Sequence, residues 1–282
     1  MSFEEPQASA QQSGASAENG NRKRHILAFP LALLAFIGLI LWMVLTPPGF
    51  WMKLRLVGYA ICHQIPSHSL LDGEHFFPLC ARCTGMYLGS LLGLAFAWVQ
   101  GKRGQFPPLW VWFVFGLFFM LFALDGLNSV MGVLPGIKQV YPSQNWLRLA
   151  TGLGMGLVMG SMLAAAFNQT IWAELSQKKL FNRPFIFAAM LGSAVLTGAL
   201  LYFGPSLVKQ ALMILSVIGV LSMLSLIYSI PAALLIDGQN KIRTVKELAL
   251  PLLLGFMVMS LQISLFIYLR FLLTGSLGPL NL

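Results

Sequence analysis

All three cysteines and three of the four histidines of this chain fall in one stretch, "AICHQIPSHSLLDGEHFFPLCARCTGMYLG", residues 60 to 89. Cys62, Cys80, Cys83 and one imidazole make a Cys3His set, which suits a tetrahedral thiophilic ion, zinc above copper(I) or iron. His63 is adjacent to Cys62, and neighbouring residues reach one ion together only where the backbone turns sharply. His75 and His68, further along the connection, are therefore the better-placed fourth ligands. The same thiols support a second chemistry. A C-x2-C at a helix start beside Arg82 favours thiolate, as thiol-disulfide oxidoreductases require, and Cys62 would serve as the resolving partner. The plainer alternative is a structural disulfide with solvated histidines.

These residues are set in a chain that is 57% hydrophobic and only 10% charged, a composition that excludes an ordinary water-soluble domain. Apolar runs at 26–45, 79–99, 109–126, 147–168, 185–203, 207–236 and 248–273 are each long enough to cross a bilayer as a helix. None alternates as a barrel strand does. The expected fold is all-α: a polytopic transmembrane bundle of about seven spans that contacts lipid, in a multi-pass cell-membrane protein. Residues 1–24 read as a disordered cytoplasmic tail, because Ser, Ala, Gln and Gly cannot repay ordering by burial. Residues 25–282 form the membrane domain, and its loop 46–80 carries the Cys/His set.

The net charge of +9 is spread over the connections instead of forming a nucleic-acid patch. Arg22, Lys23 and Arg24, the pair Lys102 and Arg103, then Lys178, Lys179 and Arg183, and finally Lys241, Arg243 and Lys246 fall on one side of the expected topology. By the positive-inside bias that side is cytoplasmic, which puts the N-terminus inside and the 46–80 loop outside. "WMKLRLVGYAI", ahead of Cys62, reads as an amphipathic piece along the membrane surface.

Cys80, Cys83 and Tyr87 share one helical face while Arg82 points elsewhere. Asp125, Asn128, Asn145 and Arg148 fall at the same membrane level, and ionisable groups near spans are functional candidates, here for handling lipid phosphate with Arg82, Asp125 and Arg148. The plainer alternatives are an Asp125 ion pair and arginines that snorkel to head groups. Spans two and four both read T-G-x3-G-x3-G, from Thr84 and from Thr151, which predicts two parallel helices in close contact with their N-terminal ends together.

At these residues the chain resembles the domain of unknown function 2085 family of prokaryotic membrane proteins. The resemblance rests on Cys62, His63, Gln64 and Pro66, on "LCARCTG" from Leu79 with Tyr87 and Gly89, on Asp125-Gly126, and on Arg148, Thr151 and Gly152. It covers roughly residues 50 to 160 and implies a polytopic membrane protein with no set activity. His68 is a departure, standing where the family usually carries arginine before a serine, here Ser69. P-loop, dinucleotide-fingerprint and H-E-x2-H motifs do not occur, so nucleotide hydrolysis, hydride transfer and zincin proteolysis have no support.

Overall fold

The computed structural model describes residues 29–73, 75–132, 138–236 and 239–278, apart from the His75 side chain; the tail expected at 1–24 lies outside them. Helix α1, Phe29–Leu45, meets α2, Phe50–Ile61, at a bend of 108°. The intervening Thr-Pro-Pro-Gly explains the break. Proline offers no N–H to continue a helix, and Gly49 takes φ of +106°. Lys53 closes the corner by donating to Met43 O at 2.7 Å and to Thr46 Oγ1 at 2.8 Å.

The stretch expected as a loop folds further. A short 3-10 turn at Pro66–His68 leads into an antiparallel hairpin of β1, Ser69–Asp72, and β2, His75–Cys80, whose turn uses Gly73 at φ +60°. Strand β2 runs directly into α3, Ala81–Val99. Helices α4, Leu109–Met131, α5, Asn145–Ile171, α6, Pro184–Phe203, α7, Ser206–Ile236, and α8, Ala249–Thr274, complete the bundle. Strands β3, Arg103–Gln105, and β4, Ser176–Lys179, pair in parallel at the end away from the cysteines.

Among the described residues, α4 to α7 and the segment Val245–Thr274 are long and apolar enough to cross a membrane, which makes five, or six with α1 and α2 as one broken span. The seven expected crossings correspond to α1 and α3 to α8. Helix α3 has 19 residues, but Arg82, Thr84, Tyr87 and Ser90 lower its hydropathy, and it is packed inside the bundle along α5. Outward faces of α4 and α6 expose Leu109, Phe113, Leu117, Phe185 and Val195, the apolar surface that meets lipid.

The glycine pattern has the expected consequence. A Cβ on Gly89 would lie 2.3 Å from Leu153 O, and one on Gly156 would lie 2.1 Å from Met86 O. Gly85 with Leu149, and Gly160 with Ser90, repeat the contact above and below, so α3 and α5 run parallel with their backbones touching. Gly89→Leu or Gly156→Leu should therefore cost at least about 1–3 kcal/mol and lower the melting temperature in detergent. Gly192→Leu, where nothing lies within 4 Å, should leave it unchanged. Equal shifts in all three variants would contradict the seam.

Candidate metal centre

Three elements deliver the three thiols. Cys62 follows the last residue of α2, with its N–H bonded to Gly58 O at 2.8 Å. That helix end is held against β2 by backbone proximity, because a Cβ on Gly58 would come within 1.9 Å of Pro78 O. The buried Gln64 fastens the next residues: its amide donates to Arg55 O at 2.8 Å and to Pro78 O at 2.7 Å, and its own backbone sits at φ +52°. A left-handed residue with a side chain is uncommon, and here the two hydrogen bonds that its Nε2 donates justify it. Cys80 ends β2 and precedes α3, and Cys83 lies in that helix's first turn.

The Sγ atoms of Cys62, Cys80 and Cys83 lie within 4.8 Å of one another, and all three are free thiols. Cys62 and Cys80 are buried and Cys83 is partly so. The Cys80 N–H donates to Cys62 Sγ at 3.4 Å. Hydrogen bonding from the Cys62 side chain, then from Cys83, pulls the Cys80 thiol down to about 2, whereas that same contact with Cys80 pushes Cys62 up to about 11. The cluster therefore favours a thiolate at Cys80 held by neighbouring thiols.

Among the described residues no imidazole lies equally close to all three sulfurs. His63 is exposed and meets His68 edge to face, with ring centroids 6.1 Å apart. Burial, then the charge of Arg148, lowers His68 to about 4, so it is neutral near pH 7, the form that ligates. Strand β2 carries His75, whose side chain lies outside the described residues.

The expected charged residues form an adjoining network. Asp125, 1% exposed, accepts from Arg82 Nε at 3.0 Å and from Arg82 Nη2, which also donates to Ser129 Oγ at 2.7 Å. Tyr141 donates to the other carboxylate oxygen at 3.1 Å. Asn128 closes the α4–α5 connection by bonding Val140 N–H at 2.9 Å and Tyr141 O at 3.0 Å. Arg148 is 4% exposed; its Nη1 donates to Asn145 Oδ1 at 2.9 Å, and its Nε is buried without a hydrogen-bond partner. Asn145 in turn donates to Ser67 O at 3.1 Å and ties the head of α5 to the turn before the hairpin. Neither arginine extends outward; both guanidinium groups turn into the protein.

Two supporting residues escaped sequence reasoning. Gln64 was legible only as a letter of the C-H-Q-x-P segment. Arg270 drew no reading as a site residue, yet its guanidinium reaches the Cys62 segment. The available signal was an arginine inside the last apolar run.

A family model described as "Predicted membrane protein (DUF2085)" matches residues 62–162, from Cys62 to within α5. An uncharacterised protein of Methanothermobacter thermautotrophicus is 32% identical over 97 residues, covering 34% of this chain and 78% of the relative. An uncharacterised protein of Methanocaldococcus jannaschii is 28% identical over 130 residues, covering 45% of this chain and 78% of the relative. No solved structure matches. The matched segment contains the thiol cluster, the Arg82–Asp125 pair and the glycine seam that brings them to one end of the bundle. The chain belongs to the domain of unknown function 2085 family of membrane proteins.

Proposed function

We propose that this membrane protein holds a thiophilic metal ion, zinc first, on Cys62, Cys80 and Cys83, with an imidazole of His75, His63 or His68 as fourth ligand. The observation that carries the reading is the convergence of three Sγ atoms within 4.8 Å from a loop, a strand end and a helix start. Chance rarely brings Cys62 onto the Cys80–Cys83 pair, which starts 18 residues further along the chain, and soft sulfur donors select zinc, copper(I) or iron over magnesium or calcium. The site faces the outside of the cell. In support of that side, Lys102 donates to Arg243 O at 3.0 Å and Arg103 to Lys179 O at 3.0 Å, so the basic connections gather at the opposite end.

A thiol-disulfide oxidoreductase is the second reading, favoured by the lowered Cys80 at the start of α3. A lipid-phosphate-handling enzyme has less support, because Nε and Nη2 of Arg82 are engaged by Asp125 and Ser129.

Elemental analysis of protein purified without chelator should give about one zinc-class ion per chain, with three thiols that become titratable once a strong chelator is added. Metal-free protein with a Cys80–Cys83 disulfide would favour the redox reading instead.

A further inference from the structure

Arg270 lies about one turn before the end of α8, outside the segment that the family model covers. Its Nη1 donates to Tyr59 O at 2.6 Å and to Cys62 O, and its Nη2 donates to His63 O at 3.1 Å. The guanidinium sits 3.9 Å from the centroid of the Tyr59 ring, and its Nε is buried without a hydrogen-bond partner. Tyr59 answers in the other direction, its hydroxyl donating to Ser276 O at 2.7 Å and meeting Thr274 Oγ1 at 3.0 Å. The end of α8 is thus clasped to the end of α2.

The last carbonyls of a helix have no partner within it, and a cation there is stabilised by the helix dipole. Arginine can serve several such carbonyls at once, because its donors are held in a rigid planar fork and its charge strengthens each bond. The Cys62 carbonyl lies in the peptide plane that follows its Cα, and the plane before it is held by the Cys62 N–H on Gly58 O at 2.8 Å, so Arg270 fixes from α8 one of the two planes that set the direction of the Cys62 side chain.

We propose that Arg270 is a positioning residue for the metal centre: by holding the carbonyl groups of Tyr59, Cys62 and His63, it fixes the backbone from which Cys62 Sγ reaches Cys80 and Cys83. The inference rests on the metal reading of that cluster. It also assigns a role to α8, which then braces a site whose ligands all lie far from it in sequence.

The test compares full-length wild-type protein with Arg270→Ala and Arg270→Lys in detergent by two readouts. Cobalt(II) is titrated into chelator-stripped protein, and thiolate-to-cobalt absorption reports both affinity and the number of sulfurs bound. Separately, N-ethylmaleimide modification of metal-free protein is followed at Cys62 by peptide mass mapping. Arg270→Ala should weaken cobalt binding about tenfold or more, reduce the thiolate-to-cobalt intensity and speed Cys62 modification about tenfold, the loss of charge-assisted bonds to carbonyls. Arg270→Lys, with a point charge in place of the fork, should fall between the two.

Wild-type cobalt spectra and a wild-type Cys62 modification rate in Arg270→Ala would overturn the proposal. If Arg270→Ala does not fold, Arg270→Lys decides, and wild-type behaviour in both readouts would count against the fork. Absence of a thiolate-to-cobalt band in wild-type protein would sink the metal reading alone. The modification rates would then still uphold or overturn the positioning of Cys62 by Arg270.

Discussion

Asp125→Asn should lower the melting temperature in detergent by roughly 10 °C, the effect of breaking a buried ion pair by about 3–5 kcal/mol. Asparagine keeps the shape of the side chain, so the change isolates charge. Among the described residues Asp125 is the buried carboxylate at this end of the bundle, where Arg148 is also buried and Arg82 is largely so. Removing its charge leaves the Arg82 and Arg148 guanidinium groups, which repel one another, without the carboxylate that offsets them, and weakens the bond from Tyr141. The double variant Arg82→Gln, Asp125→Asn should recover part of the loss, because it also removes the stranded cation. Asp125→Asn protein that melts like wild type would mean that the pair is not structural, and would return Asp125 to the list of catalytic candidates.

Cys80→Ser is expected to be the most damaging change to the metal centre. Cys80 ends β2, starts α3 and is hydrogen-bonded to Cys62 through its backbone, so it joins the two halves of the site. A structural zinc site is worth about 10–16 kcal/mol in all, and loss of one of four ligands removes on the order of 3 kcal/mol, roughly a hundredfold in affinity. Serine offers a poor ligand with nearly the same volume, which separates coordination from packing. Metal content after dialysis against a competing chelator should fall to a small fraction of wild type, and Cys62→Ser and Cys83→Ser should follow the same course. Full metal content in Cys80→Ser would show that the ion is held elsewhere.

What the sequence revealed and what it concealed divide along the range of the interactions. The T-G-x3-G-x3-G copies are local patterns, and each states its own consequence: a helix face without side chains can only serve close approach, here Gly89 on Leu153 and Gly156 on Met86. Once those two helices are known to be parallel, Cys80, Cys83, Arg82 and Arg148 must come to one end. The Arg82–Asp125 bond followed from that shared level, although the choice of Arg82 over Arg148 depends on side-chain reach and was not readable.

The hairpin was within reach but missed, since Asp72-Gly73 between two apolar pieces is a turn signal inside what read as a plain loop. Gln64 and Arg270 could be noticed as residues, but what they hold could not be read. Their partners are backbone carbonyls, which every residue carries, so no sequence pattern marks them. Arg270 acts across 208 positions from Cys62, a distance that only the packing of α8 against α2 closes. The fourth metal ligand depends likewise on the conformation of the connecting residues, which spacing alone does not fix.

X-ray absorption at the metal edge of the purified, metal-loaded protein tests the central claim most directly, because it counts sulfur neighbours without relying on mutants. Three sulfur scatterers at about 2.3 Å and one nitrogen at about 2.0 Å are expected, with the sulfur count falling to two in any single Cys→Ser variant that retains metal. A shell of only nitrogen and oxygen, or wild-type protein that takes up no metal under reducing conditions, would contradict it.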